Sequence, residues 1–192
     1  LTLEPSVSER HALRAAERER MAKVACQSLA GASHLFIGSD ATTVHVARRI
    51  ATQMNNLTVI AHSFGVATVL ALNPTITVLM APGIYNAGEG AVHGAATLSF
   101  IARHNVTWAL LGASGLTPDG PSDALIEAGE VYSAMVERAE RTMIVADSQK
   151  YGLAFPARWA SWDDIGCLVS DAPPPELMAH ALETSDVEMK IA

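Results

Sequence analysis

Five short stretches of this chain place small, hydroxyl-bearing and charged residues side by side. They are Gly38-Ser39-Asp40-Ala41-Thr42-Thr43, His62-Ser63, Ala81-Pro82-Gly83, Gly112-Ala113-Ser114-Gly115 and Asp147-Ser148-Gln149-Lys150. Glycine and alanine let a backbone approach a bound molecule closely. Hydroxyls and free amide N–H groups at a helix start suit an anion, helped by the helix dipole. Gly38–Thr43 has that composition and runs into a helical pattern, although Ser, Asp and Thr are also the ordinary N-cap residues. Lys150 can complete an anion pocket with a positive charge.

Other chemistries find little support. The seven histidines are scattered, with no HxH or HExxH spacing, so no metal site is expected. Ser63 and Ser114 lie outside any GxSxG elbow, and no GxGxxG fingerprint is present. Sugar isomerisation needs a carboxylate base at a tuned pKa, yet the Gly112–Leu116 loop holds no acid before Asp119. Asp119, Asp123, Glu127 and Glu130 have the spacing of a solvated first turn and helix face. No catalytic residue and no cofactor are assigned. Cys26 and Cys167 sit in apolar contexts without CxxC spacing and read as reduced, structural thiols.

The stretches that could bind are spaced by alternating strand and helix patterns. Glu9–Ala30 reads as a helix, with Met21, Val24, Ala25, Ser28 and Leu29 on one stripe. Leu35–Gly38, Leu57–Ala61, Thr75–Met80, Val106–Leu111, Arg141–Ala146 and Cys167–Ser170 read as strands. Thr42–Met54, Phe64–Leu72, Ala91–Arg103, Asp123–Glu140 and Pro174–Leu182 read as helices, and Ala81–Gly90 and Gly112–Gly120 as connections. Near-continuous apolar strands alternating with helices imply a single doubly wound α/β domain, its mostly parallel sheet covered by helices on both faces. In such sheets ligands sit outside the carboxyl ends of the strands, which is where the five stretches fall.

Composition narrows the classes. The chain has 192 residues, 49% of them apolar, enough for one core. Its longest apolar runs are far below the roughly 18–20 residues that span a bilayer, so a cytoplasmic domain is expected. A net charge of −7 argues against this piece gripping nucleic acid by itself. The chain opens on Leu1 without a methionine. Residues 1–8 read as a linker from an upstream segment, 9–183 as the domain, and 184–192 as a loose polar tail.

The order and spacing of the loops resemble the sensor domain of the DeoR transcriptional regulators, from about Glu17 to Asp171. That family carries an Asp/Gly-Ser-Gly-Thr-Thr loop, a Thr-Asn-Ser turn, a Gly-Gly turn, a Gly-Ala-Asp/Glu-Gly loop and an Asp-Ser-Ser-Lys loop. The counterparts here are Gly38–Thr43, Ala61-His62-Ser63, Pro82-Gly83, Gly112–Gly115 and Asp147–Lys150. Asp40 stands where the family has glycine, Gln149 replaces a serine, and Ala81-Pro82 replaces part of the glycine pair.

The resemblance implies a fold shared with ribose-5-phosphate isomerase and a role in binding a phosphorylated sugar or related effector without turnover. It implies that Ser39, Ala41, Thr42 and Thr43 hold a phosphate, with Lys150 pairing with it or with a sugar oxygen. His62, Gly83, Gly94, Gly112, Ala113 and Ser114 would line the sugar end, and Asp40, Ser63 and Asp147 complete the candidate set. DNA would be bound through an N-terminal helix-turn-helix headpiece, and the regulator, a repressor, would act as a homo-oligomer. A sugar-phosphate isomerase-like enzyme and a pure oligomerisation domain are the alternatives.

Overall fold

The computed structural model describes residues 7–192, with side chains from Arg14 onward. The chain starts with helix α1 (Val7–Ser28), strand β1 (His34–Ile37), helix α2 (Ala41–Gln53), strand β2 (Thr58–Ala61), helix α3 (Phe64–Leu70) and strand β3 (Thr77–Met80). A hairpin of β4 (Ile84–Asn86) and β5 (Ala91–His93) leads to α4 (Ala95–Ala102) and β6 (Val106–Leu111). A second hairpin, β7 (Gly115–Thr117) and β8 (Gly120–Asp123), precedes α5 (Ile126–Arg138) and β9 (Ala139–Val145). The short β10 (Ala157–Arg158), then β11 (Cys167–Ser170), α6 (Glu176–Thr184) and β12 (Glu188–Ile191) complete it.

Seven strands form one parallel sheet in the order β12-β11-β9-β6-β1-β2-β3. Successive side chains on a strand face opposite ways, and the core divides accordingly. Leu35, Ile37, Val59, Leu110, Met143 and Val169 pack with Met21, Leu29, Val46 and Ile50 of α1 and α2. Phe36, Ile60, Ala109, Leu111, Ile144 and Leu168 pack with Ile101, Tyr132, Met135 and Leu182 of α4, α5 and α6. Both faces are covered, as the apolar strands predict.

The strand order reverses between β1 and β6. The chain builds outward from β1 through β2 to β3, then returns to lay β6 on the other side of β1. The carboxyl ends of β1 and β6 therefore flank the crevice at which doubly wound sheets place their ligands.

Four local expectations change. The buried stripe of α1 is Met21, Ala22, Ala25, Cys26 and Leu29, with Val24 and Ser28 only half-buried. Ala91–His93 is a strand rather than the start of a helix. Gly90 at φ 61° and Gly94 at φ 106° bracket it, and the helix begins after Gly94. Gly112–Gly120 is not all loop, because the Pro118-Asp119-Gly120 turn, with Gly120 at φ 137°, folds β7 back onto β8.

The fourth change lies at the chain's ends. Residues 1–6 of the expected linker lie outside the described residues, and Val7 and Ser8 already belong to α1. No glycine or proline interrupts residues 7–28. The tail expected to be loose forms β12, which pairs with β11 from Cys167–Glu188 to Ser170–Ile191. Its anchors are buried Val187 and Met189, which packs on the core, and Lys190, which donates to Ser28 Oγ of α1 at 2.6 Å. Both cysteines are free and buried, and burial pushes the Cys167 thiol up to about 11.

Candidate functional site

Five of the loops at the ends of the parallel strands carry the predicted residues, and the structure sorts them into those that can meet a ligand and those that hold the scaffold. After β1, Gly38 packs its Cα against the Tyr132 ring of α5, with 3.1 Å left for a β-carbon to Cε1. The Ser39 amide donates to Tyr132 Oη at 3.1 Å, and the Ser39 hydroxyl lies at the same distance. Burial and the nearby Asp40 charge hold the Tyr132 hydroxyl well above its ordinary pKa. Tyr132 is fully buried, so it is the floor on which the first loop rests.

Asp40 takes up the glycine position without strain. Its φ of −78° and ψ of 169° are ordinary extended backbone, and its carboxylate caps α2. The Thr43 amide donates to Asp40 Oδ1 at 2.7 Å, and the Thr43 hydroxyl donates to the Asp40 carbonyl at 2.9 Å. Such a cap stabilises a helix by about 1 kcal/mol. Thr43 is fully buried, and its amide and hydroxyl are both bonded to Asp40. Ala41 and Thr42 lie on the first turn of α2, exposed and half-buried. Across the crevice, a β-carbon at position 112 would fall on Asp40 Oδ2. Glycine at 112 is what lets the carboxylate lie over β6.

After β2, His62 is fully buried. Its Nδ1 lies 2.9 Å from the Val92 carbonyl, which can only accept, so Nδ1 carries the proton. Its Nε2 is buried and unpartnered among the described residues, as is Nε2 of His93, whose ring centroid is 5.5 Å away. His62 also packs edge-on against Tyr132, centroids 6.1 Å apart. Burial pulls the His62 pKa down to about 4, so its ring is neutral, and burial also lowers the pKa of His93. Ser63 is an ordinary cap of α3, accepting from the Val66 amide at 3.4 Å.

Gly83 lies where a side chain would strike Thr97 Oγ1, which donates to the Pro82 carbonyl at 2.5 Å. Gly94 caps α4 by its backbone. Ala113 is buried, and Ser114 accepts from the Ala124 amide at 3.4 Å, tying the β6 end to the start of α5. After β9, Asp147 caps a short turn, Ser148–Lys150, by accepting from the Gln149 amide at 2.9 Å. Lys150 forms no ion pair among the described residues, and its charge reaches Asp40.

Four site residues are not legible in the sequence pattern. Tyr132 is indistinguishable from core by its spacing. His93 stands in a segment expected to be helical. Asp123 has the spacing of a solvated helix face, yet its negative charge reaches Asp40, Tyr132 and His93. Asp171 lies just past β11 and accepts from the Ser148 amide at 2.6 Å and its hydroxyl at 3.0 Å, bracing the Lys150 loop. Its signal is its place, because it ends the sixth apolar strand on the same rim as the other loops. Burial raises the Asp40 pKa to about 6, against the two Thr43 hydrogen bonds that lower it.

The site thus offers a carboxylate, two imidazoles, hydroxyls and one ammonium. Among the described residues no three His, Cys, Asp or Glu side chains are placed to hold a metal. A groove of about 560 Å³ opens at the other end of the sheet, between Cys26–Ser33 and Gln53–Asn56.

The chain matches the family described as the DeoR C terminal sensor domain over residues 13–172. It is 27% identical over 187 residues to the glycerol-3-phosphate regulon repressor of Escherichia coli K12, covering 95% of this chain and 73% of that protein. It is 25% identical to the HTH-type transcriptional repressor CsqR of the same organism, covering 90% and 66%. Among solved structures, ribose 5 phosphate isomerase A of Neisseria gonorrhoeae superposes with a TM-score of 0.51 at 14% identity. That match covers 70% of this chain and 52% of the isomerase, about half its length, and shows the fold alone. The Pyrococcus horikoshii translation initiation factor eIF-2B gives 0.53 at 16% identity, covering 78% and 52%. The relatives close in sequence are regulators rather than enzymes, as the missing base in the Gly112–Leu116 loop led us to expect. By its loop order, its sheet and this match, the chain belongs to the DeoR C-terminal sensor domain family.

Proposed function

We propose that this domain is the effector-binding part of a cytoplasmic transcriptional repressor and binds a small phosphorylated sugar or related metabolite at the carboxyl ends of β1, β2, β6 and β9. One observation carries the reading. The strand order reverses between β1 and β6, where Ser39 and Asp40 stand over a floor of Tyr132 and the Lys150 charge acts on Asp40. The name of the glycerol-3-phosphate regulon repressor supports a sugar-derived ligand class. Ligand binding would change how a helix-turn-helix segment, N-terminal to residues 7–192, engages DNA. Paired half-sites call for a homo-oligomer, and α1, next to that segment, is the element placed to carry the signal.

A thermal-shift panel of sugars, polyols and their phosphates tests the proposal on the purified chain. A ligand at 100 times its dissociation constant adds about 2.7 kcal/mol of stability. A clear rise in melting temperature with at least one compound, and no turnover of it, is the expected result. A flat response across the panel would leave only an oligomerisation role, and turnover would return the enzyme reading.

A further inference from the structure

Beside its hydroxyls and the Lys150 ammonium, the β1/β6 crevice presents two acceptors, Asp40 and His62. Asp40 places a carboxylate where α2 starts, already bonded to the Thr43 amide and lying over Gly112. It fills the position at a helix N-terminus that otherwise suits an anion. His62 holds its only proton on Nδ1, facing the Val92 carbonyl, so its buried Nε2 presents a bare lone pair. The Nε2 of His93 is also buried and unpartnered among the described residues, and with no bond fixing its tautomer it can meet a hydroxyl as donor or as acceptor. A buried acceptor left without a donor costs stability, so the His62 nitrogen calls for a partner that carries hydrogen.

The local charge points the same way. Asp40 and Asp123 set two carboxylates against the single ammonium of Lys150, with Asp123 raising the Asp40 pKa and Lys150 lowering it. Among the described residues of the loops after β1, β2, β3, β6 and β9, Lys150 is the one fixed positive charge. A phosphate dianion brings oxygens that only accept and a charge that Asp40 and Asp123 repel. A polyol brings hydroxyls that donate and carries no charge.

We infer that this sensor takes an unphosphorylated, polyhydroxylated ligand, with Asp40 standing in for the phosphate, hydroxyl groups donating to Asp40 and to Nε2 of His62, and a hydroxyl bonding Nε2 of His93. The inference rests on the sensor reading above and chooses between the two ligand classes named there. Asp40 is then the residue that sets specificity, and the family's glycine at that position leaves the start of α2 open.

Calorimetric titration of the purified chain with matched pairs tests it: glycerol and glycerol 3-phosphate, ribose and ribose 5-phosphate, fructose and fructose 6-phosphate. The wild-type chain is expected to bind an unphosphorylated member at least tenfold tighter than its phosphate. Asp40→Gly, which keeps a tolerated cap residue, is expected to shift that ratio at least tenfold toward the phosphate. Asp40→Asn, neutral but still able to cap α2, is expected to shift it in the same direction. His93→Phe is expected to weaken the unphosphorylated ligand about tenfold. Phosphate binding gained only in Asp40→Gly also supports the inference.

Tighter binding of a phosphate by the wild-type chain, or a ratio unmoved by Asp40→Gly, overturns it while leaving the sensor reading intact. If neither the wild-type chain nor either Asp40 variant binds any member of any pair, the sensor reading falls and this inference with it. Circular dichroism melts of each variant separate loss of binding from loss of fold.

Discussion

At the scale of single residues, Asp40 has two roles whose energetics oppose one another. As a cap it stabilises α2, and as a half-buried carboxyl in the field of Asp123 it is a poor place for charge. Its folded pKa of about 6 lies above the ordinary carboxyl value near 4. Below that ordinary value both folded and unfolded chains hold the proton, and no penalty arises. As pH rises from about 4 through about 6, the folded chain alone retains the proton, so stability falls. Asp40→Asn keeps the cap acceptor without the charge. It is expected to raise stability by about 1–2 kcal/mol at pH 8 and by nothing at pH 4. Urea unfolding at the two pH values measures this, and an equal gain at both would place the origin elsewhere. His62 works with the opposite sign, since its folded pKa near 4 lies below the ordinary 6.5. Its buried neutral state supports the fold above about 6.5 and loses that contribution as pH falls toward 4. The sequence named Asp40 and His62 as site residues, but could not show that Thr43 and Ser63 spend their hydroxyls on capping. A cap and a ligand contact have the same composition, and only the direction of the hydroxyl separates them.

At the scale of elements, six of the seven parallel strands were legible because each is a short apolar run ended by small or polar residues. Hidden from the pattern were the pieces that keep no apolar period. The β4–β5 and β7–β8 hairpins are three or four residues per strand and are defined by glycine turns rather than by hydrophobic pattern. The tail Glu188–Ile191 reads as polar because it is an edge strand, with Glu188 and Ile191 exposed and Met189 and Lys190 half-buried. Edge strands are commonly short and charged, which blunts pairing with other chains. Without β12, the fully buried Leu168 and Val169 lie on a strand whose outer edge is unpaired. A chain ending at Thr184 is therefore expected to melt several degrees lower and to aggregate on heating. Differential scanning calorimetry with light scattering checks this, and an unchanged melting temperature would show that the edge strand is dispensable.

At the scale of the whole molecule, charge and fold divide the labour of a regulator. The chain carries a net charge of −7, and duplex binding depends on clustered cations that release counterions from phosphates. This domain by itself is expected to show no binding to duplex DNA at 50 mM salt, as read by fluorescence anisotropy. Salt-sensitive binding at micromolar concentration would contradict the assignment of DNA contact to another segment. The family could be read from the order of five loops along the chain, even though no one loop is specific. The ligand could not, because it depends on which loops meet across the β1/β6 reversal, and that is a property of strand order rather than of any local stretch.

The bond between Lys190 and Ser28 spans 162 positions of sequence. It ties the last strand of the sheet to the C-terminal end of the first helix. Synthesis on the ribosome proceeds from α1 toward β12, and β11 has no outer neighbour until residue 191 has emerged. Cotranslational folding can therefore assemble the β1/β6 crevice well before the sheet is finished. A nascent chain stalled just short of β12 would already hold its ligand loops while its far edge stayed open to a chaperone.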